Sequence, residues 1–218
     1  IFWLGYYPLK VNLVSLFLSS NILKYLPGGV WHFVERIRIL KIDLGVRKSI
    51  EIVLLEPFLM VSAAMLLVIL GGWQRGLAAL CIVPSICFIE PFRGRLFNKL
   101  ARLKAGKLLG FSSVNKEVSE ISDYESSRGG YPYKALIAEI FFVVFRFFGF
   151  WLCLKAFGIE LSISLQNWLS AFALAWTMGL VVPAAPGGLG IFEASLLIQL
   201  GNAVPEAPLI ASLLFYRV

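Results

Sequence analysis

The sequence predicts an all-α fold: a polytopic membrane helical bundle with broken or re-entrant half-helices, and interruptions that allow inverted repeats. Three observations lead there. First, 59% of the 218 residues are hydrophobic and only 15% are charged, with a mean hydropathy of +0.81. Soluble domains average about 45–50% apolar residues. Second, the apolar runs are continuous rather than alternating. Several reach the roughly 20 residues that a helix needs to cross about 30 Å of hydrocarbon, which argues against a barrel of alternating strands. Third, Pro-Gly-Gly occurs twice, at 27–29 and 186–188, in a chain with 10 Pro and 19 Gly. Chance predicts about 0.08 occurrences, which justifies a search for internal repeats.

Taken in order, residues 1–26 are mostly apolar, broken by "YYPLK" and by Lys24, and end at "YLPGGVWHF". A basic stretch follows, holding Arg36, Arg38, Lys41, Arg47 and Lys48. "IEIVLLEPFLMVSAAMLLVILGG" is one full span, "WQRG" a tight turn, and "LAALCIVPSICFIEP" the return through the membrane. This hairpin puts its flanking segments on one side. The second flank carries Arg93, Arg95, Lys99, Arg102, Lys104 and Lys107, so the loops at about 36–48 and 93–132 are both expected in the cytoplasm. The rest of that second loop is polar and short of core-forming residues, as expected of a surface linker rather than a soluble domain.

Residues 133–159 form the next span, with Glu139 and Arg146 on one helical face. An arginine near mid-span costs about 2.5 kcal/mol or more on insertion scales, so it should face protein or water and have a partner. "WLSAFALAWTMGLVV" then enters the membrane and meets "PAAPGG"; "IFEASLLIQL" follows as a helix of only half a bilayer, and "GNAVPEAP" leads to a last helix. The chain begins at Ile1 and stops within that helix, and it is read as a single transmembrane domain, 1–218, in a fragment lacking helices at both ends.

Composition also excludes functions. His32 is the lone histidine and the three cysteines lie in apolar stretches, so neither a metal cluster nor a disulfide is expected. No Walker A or dinucleotide motif is present, no catalytic constellation is recognisable, and no cofactor is expected. The net charge of +7 reads as positive-inside topology and attraction to anionic lipid, not as nucleic-acid binding.

The repeated motif carries the functional expectation. "PGGVWHF" and "PGGLGIF" agree at Pro, Gly, Gly, an aliphatic residue and Phe, and each is followed by a glutamate, Glu35 or Glu193, one position out of register. Paired interruptions of this kind mark transporters built from repeats. Non-helical backbone at membrane depth survives only beside protein or water, and a half-helix N-terminus favours an anion such as a headgroup phosphate. Segments 11–40 would then open to the cytoplasm and 167–200 outward. The candidate substrate-binding residues are Lys24, Pro27, Gly28, Gly29, Glu35, Arg36, Glu56, Glu139, Arg146, Pro186, Gly187, Gly188, Gly190 and Glu193. A purely structural reading competes: the glycines permit close packing, and Glu193 caps the free N–H groups of its own helix.

"LPGGVWHFVERIRIL", "SIEIVLLEPFLMV" and "PAAPGGLGIFEASLL" together resemble the transmembrane region of the lysylphosphatidylglycerol synthase/flippase family. The resemblance covers nearly the whole chain. The third motif is the most specific. Pro57 follows Glu56 where the family pattern suggests Arg, and no synthase domain is present. The resemblance implies a stand-alone flippase or transporter of polar lipids (phospho-, aminoacyl- or polyprenyl-linked) in a bacterial cytoplasmic (inner) membrane. Membrane lipids with anionic or aminoacylated headgroups would be its partners, and a second copy or a synthase further ones. The alternative is a lipid-modifying transferase component or a partner subunit of a synthase.

Overall fold

The computed structural model describes residues 1–26, 31–71, 78–89, 130–159, 163–182, 188–201 and 203–217. Among them are eight α-helices and no strand: α1 (Leu13–Ile22), α2 (Trp31–Leu44), α3 (Val46–Val68), α4 (Ala78–Ile86), α5 (Tyr133–Ala156), α6 (Leu165–Val181), α7 (Ile191–Leu200) and α8 (Glu206–Arg217). The chain divides into two compact units, residues 1–58 with 85–133, and residues 59–84 with 134–218.

In the first unit, Asn12 caps α1, its side chain accepting from the N–H groups of Val14 and Ser15. This satisfies two of the orphan donors at a helix start. A 3-10 turn, Leu23–Tyr25, ends the segment, and Leu26 is extended. Helix α2 packs back against α1. Asp43, near the end of α2, accepts from the N–H groups of Lys10 (2.7 Å) and Val11 (3.2 Å), fastening the chain entry to α1. The basic stretch expected as a loop at 36–48 is helical instead: α2 runs to Leu44, Gly45 turns at φ +77°, and α3 starts at Val46. Its charges are spaced so that Leu40 and even Arg36 are buried on one face, an amphipathic pattern that outweighs the polarity of the stretch.

Helix α3 is 23 residues long, about 35 Å at 1.5 Å per residue. Pro57 sits inside it and removes the N–H that would bond the Val53 carbonyl. The division between the units falls one residue later, after Phe58. The expected return span is shorter among the described residues: α4 has nine residues, and Cys87–Ile89 is a turn. The second basic loop, from residue 93 to 129, and the turn "WQRG" lie outside the described residues.

The second unit is built around aromatic rings from four helices. Phe150 of α5 stacks on Phe172 of α6 at 5.5 Å, and Phe192 of α7 meets Phe172 edge-on at 5.5 Å. Tyr216 of α8 closes the set, 5.6 Å from Phe150 and 6.2 Å from Phe192. Such pairs add about 0.5–1.5 kcal/mol each beyond their burial. Polar ties supplement them: Ser170 Oγ donates to the Val68 carbonyl at 2.9 Å and Gln199 Nε2 to the Ala171 carbonyl at 3.4 Å.

Helix α5 shows its two faces plainly. Leu136, Val143, Phe147, Phe150 and Leu154 are buried, whereas Ile137, Phe141, Phe145, Phe148 and Leu152 are exposed. The exposed set recurs every three or four residues, one continuous apolar stripe. Water penalises such a stripe and hydrocarbon does not. The helix has 24 residues, about 36 Å, enough to span.

Candidate functional site

Each unit carries an arginine–glutamate pair. In the first, Arg36 lies on the buried face of α2 and is only 4% exposed. Its Nη1 donates to both oxygens of Glu56 at 2.6 Å, Nε to Ser20 Oγ at 2.8 Å, and Nη2 to Asn21 Oδ1 at 3.0 Å. The guanidinium also lies over the Phe17 ring, 4.6 Å from its centroid. All three nitrogens are engaged, as a buried guanidinium requires. Glu56 keeps a 28% exposed side chain. Arg36 is thus a buried anchor joining α1, α2 and α3. Glu35, its neighbour, points elsewhere and forms an i,i+3 pair with exposed Arg38 at 3.4 Å. Lys24 is half-buried, its Nζ 5.9 Å from the Phe17 ring. Pro27, Gly28 and Gly29 lie outside the described residues.

In the second unit, α6 ends at Val181 with Val182 extended. Pro186 and Gly187 lie outside the described residues; from Gly188 onward the exit from the interruption is defined. Gly188 has φ +71°, and a Cβ there would meet the Gly179 carbonyl oxygen at 2.6 Å. Glycine is therefore needed twice over, for the backbone sign and for the close approach to α6. Gly190, at φ +84°, is the N-cap of α7. Glu193, third in the helix, reaches back so that Oε2 accepts the Gly190 N–H at 2.8 Å. This is the reciprocal half of a capping box. Phe192, buried among the rings, fixes the turn from which Glu193 projects.

The other oxygen of Glu193 pairs with Arg217 Nε at 2.8 Å, and Arg217 Nη2 donates to the Gly188 carbonyl at 3.1 Å. Arg217 also lies over the Phe192 ring at 5.1 Å. One arginine from α8 thus holds both the carbonyl at the mouth of the interruption and the carboxylate that caps the half-helix. The pair is partly open, with side chains 19% exposed for Glu193 and 22% for Arg217. The capping role considered for Glu193 is the one the geometry displays, and an anion arriving at this terminus meets the chain's own carboxylate first.

Arg146 has a partner, as its cost in a span requires. Its Nε donates to Tyr216 Oη at 3.1 Å, and its guanidinium lies 5.6 Å from that ring and 5.9 Å from Phe142. It is nevertheless exposed, whereas Glu139, two turns earlier, is half-buried. Sequence reasoning missed Ser20, Asn21, Tyr216 and Arg217. The polar "SSN" within an apolar run was the visible signal for the first two. For the last, it was an arginine closing an apolar helix.

Two helices, Val46–Val68 and Tyr133–Ala156, are long and apolar enough to cross a bilayer. With the all-helical architecture of the described residues, they fit an α-helical membrane protein. The chain belongs to the lysylphosphatidylglycerol synthase transmembrane-region family, whose model matches residues 15–218. It is accordingly a membrane protein related to lipid handling. No curated protein and no solved structure matches it.

Proposed function

We propose that the protein moves polar lipids across the membrane, as a flippase or lipid transporter. In this reading it is a multi-pass protein of a bacterial inner membrane, with its basic segments cytoplasmic. The observation that carries the reading is the Glu193–Arg217 pair at the mouth of the second interruption. A half-helix of ten residues spans about 15 Å, half a bilayer. A backbone interruption in hydrocarbon needs protein or water beside it. An ion pair placed there, partly open and formed by one carboxylate and one guanidinium, offers both signs of charge to a lipid headgroup while its acyl chains stay in the bilayer.

Mechanistically, a headgroup phosphate would compete with Glu193 for the forked donors of Arg217. Glu193 would keep its bond to the Gly190 N–H and so preserve the half-helix. Gly188 would keep the mouth narrow through its contact with Gly179. Arg36 with Glu56 anchors the first unit and Glu35 pairs with Arg38, so in this reading the headgroup is handled at the Glu193–Arg217 pair of the second unit.

The test is translocation of a labelled phosphatidylglycerol in proteoliposomes, read by the fraction of label reachable from outside. Faster exchange than in protein-free vesicles is expected, with loss in a Glu193→Gln, Gly188→Leu double variant. Exchange no faster than in protein-free vesicles, or equal rates for the double variant and the unaltered chain, would refute the reading.

A further inference from the structure

We propose that Arg146 and Tyr216 hold the phosphate of a phospholipid headgroup in a lipid-facing notch halfway along α5. The inference rests on the polar-lipid reading and adds to it a lateral contact for the headgroup, separate from the Glu193–Arg217 pair.

Ala156, the nearer end of α5, is ten residues from Arg146, so roughly 15 Å of helix lies beyond it. The side chain is exposed, on a helix whose outward stripe includes Phe141, Phe145, Phe148 and Leu152. Nε donates to Tyr216 Oη at 3.1 Å. Among the described residues, Nη1 and Nη2 have no hydrogen-bond acceptor and the guanidinium has no ion pair. Tyr216 offers a neutral oxygen and keeps its own O–H to donate. The rings flanking the charge, Phe142 at 5.9 Å and Tyr216 at 5.6 Å, are weak partners for a cation. A guanidinium at mid-span needs a counter-charge or water. Arg36 shows the chain satisfying an arginine by itself, with every nitrogen engaged and Glu56 as counter-ion. Arg146 is not satisfied in that way.

The surroundings fit what is missing. Gly149, three residues after Arg146, shares its side of the helix and carries no side chain; the nearest atom to a Cβ built there is Tyr216 Cε2, at 3.8 Å. The helix surface is therefore bare next to the guanidinium. The rings of Phe150 and Phe192 hold Tyr216, at 5.6 and 6.2 Å, so its hydroxyl fixes Nε and leaves the Nη edge of the fork open. Such an edge binds two oxygens of a phosphate at once, and the Tyr216 O–H supplies a further donor. The exposed phenylalanines and Leu152 favour acyl chains around the site, which assigns the phosphate to a lipid rather than to a free ion. Tyr216 immediately precedes Arg217, the arginine that pairs with Glu193.

The test is retention of labelled phosphatidylglycerol by the full chain, delipidated in maltoside micelles, with a labelled diacylglycerol of the same acyl chains as control. About 1 M sodium chloride screens the exposed basic side chains and affects a site at mid-span far less. Saturable retention of phosphatidylglycerol, at least about tenfold tighter than that of diacylglycerol, is expected from charge-assisted bonds to phosphate. It falls several-fold in Arg146→Lys, which keeps the charge and loses the fork, and further in Arg146→Gln. Equal retention of the two lipids by the unaltered chain overturns the proposal without any variant. Equal affinity for phosphatidylglycerol in the unaltered chain and in folded Arg146→Lys overturns it as well. Displacement by excess inorganic phosphate would hand the notch to a free anion and overturn the lipid assignment. A chain that dimerises without lipid, and is dispersed by Arg146→Gln, would assign the guanidinium to a second copy and overturn it too. Translocation in proteoliposomes with no retention by the unaltered chain rejects this site and leaves the transport reading standing. Retention without translocation does the reverse.

Discussion

The two Pro-Gly-Gly segments lead into helices that put the following glutamate to opposite uses. After Pro186 the helix begins at Ile191, so Glu193 is its third residue and can reach back to the Gly190 N–H. After Pro27 the helix begins at Trp31, so Glu35 is its fifth residue and pairs forward with Arg38. The one-position slip between the motifs, with the different helix start, separates a capping carboxylate from one that only pairs along its own helix. A motif's meaning depends on where the helix starts, because only the first turn has N–H groups to satisfy.

The arginines differ in the same way. Arg36 is buried with every nitrogen engaged, whereas Arg217 is partly open and shared between a carbonyl and a carboxylate. The first is an anchor and the second a pair that can exchange partners. Removing one partner of a buried pair strands a charge and costs about 3–5 kcal/mol. Unfolding in micelles should show a loss of that size for Arg36→Ala. Arg217→Ala, with water in reach, should lose about 1–2 kcal/mol. Equal losses would erase the distinction.

The glycines rank next. Gly188→Ala forces a Cβ against the Gly179 backbone at 2.6 Å in addition to an unfavourable φ. Gly190→Ala meets nothing within 4 Å and carries the φ penalty alone, about 1–2 kcal/mol. Gly188→Ala is expected to lower the melting temperature distinctly more than Gly190→Ala; the reverse order would place the tight contact elsewhere. The smallest pair sharpens the comparison of glutamates. Glu193→Gln should cost about 1–2 kcal/mol through a weakened cap and a lost ion pair. Glu35→Gln should stay within about 0.5 kcal/mol, as exposed i,i+3 pairs do.

Much of this was legible in the sequence. "IFEASLLIQL" coincides with α7, and the span from Tyr133 was readable because apolar runs of that length have few other uses. Residues 36–48 were not: their charge suggests a loop, but the helix hides Arg36 by pairing it with groups 15 to 20 residues away. The partnership of Glu193 with Arg217 was also invisible, since "ASLLFYRV" reads as bare hydrophobic helix until α8 is folded against α7. Local pattern reveals helices and caps; tertiary pairing decides which charges are anchors.

The central claim is that the open pair at the second interruption does the transport work and the half-buried Glu35 after the first motif does not. Translocation of labelled phosphatidylglycerol should therefore be compared for Glu193→Gln and Glu35→Gln at equal amounts of folded protein. The account predicts at least about a tenfold slowing, equivalent to ~1.4 kcal/mol in the barrier, for Glu193→Gln and an unchanged rate for Glu35→Gln. Equal rates for the two variants would contradict it.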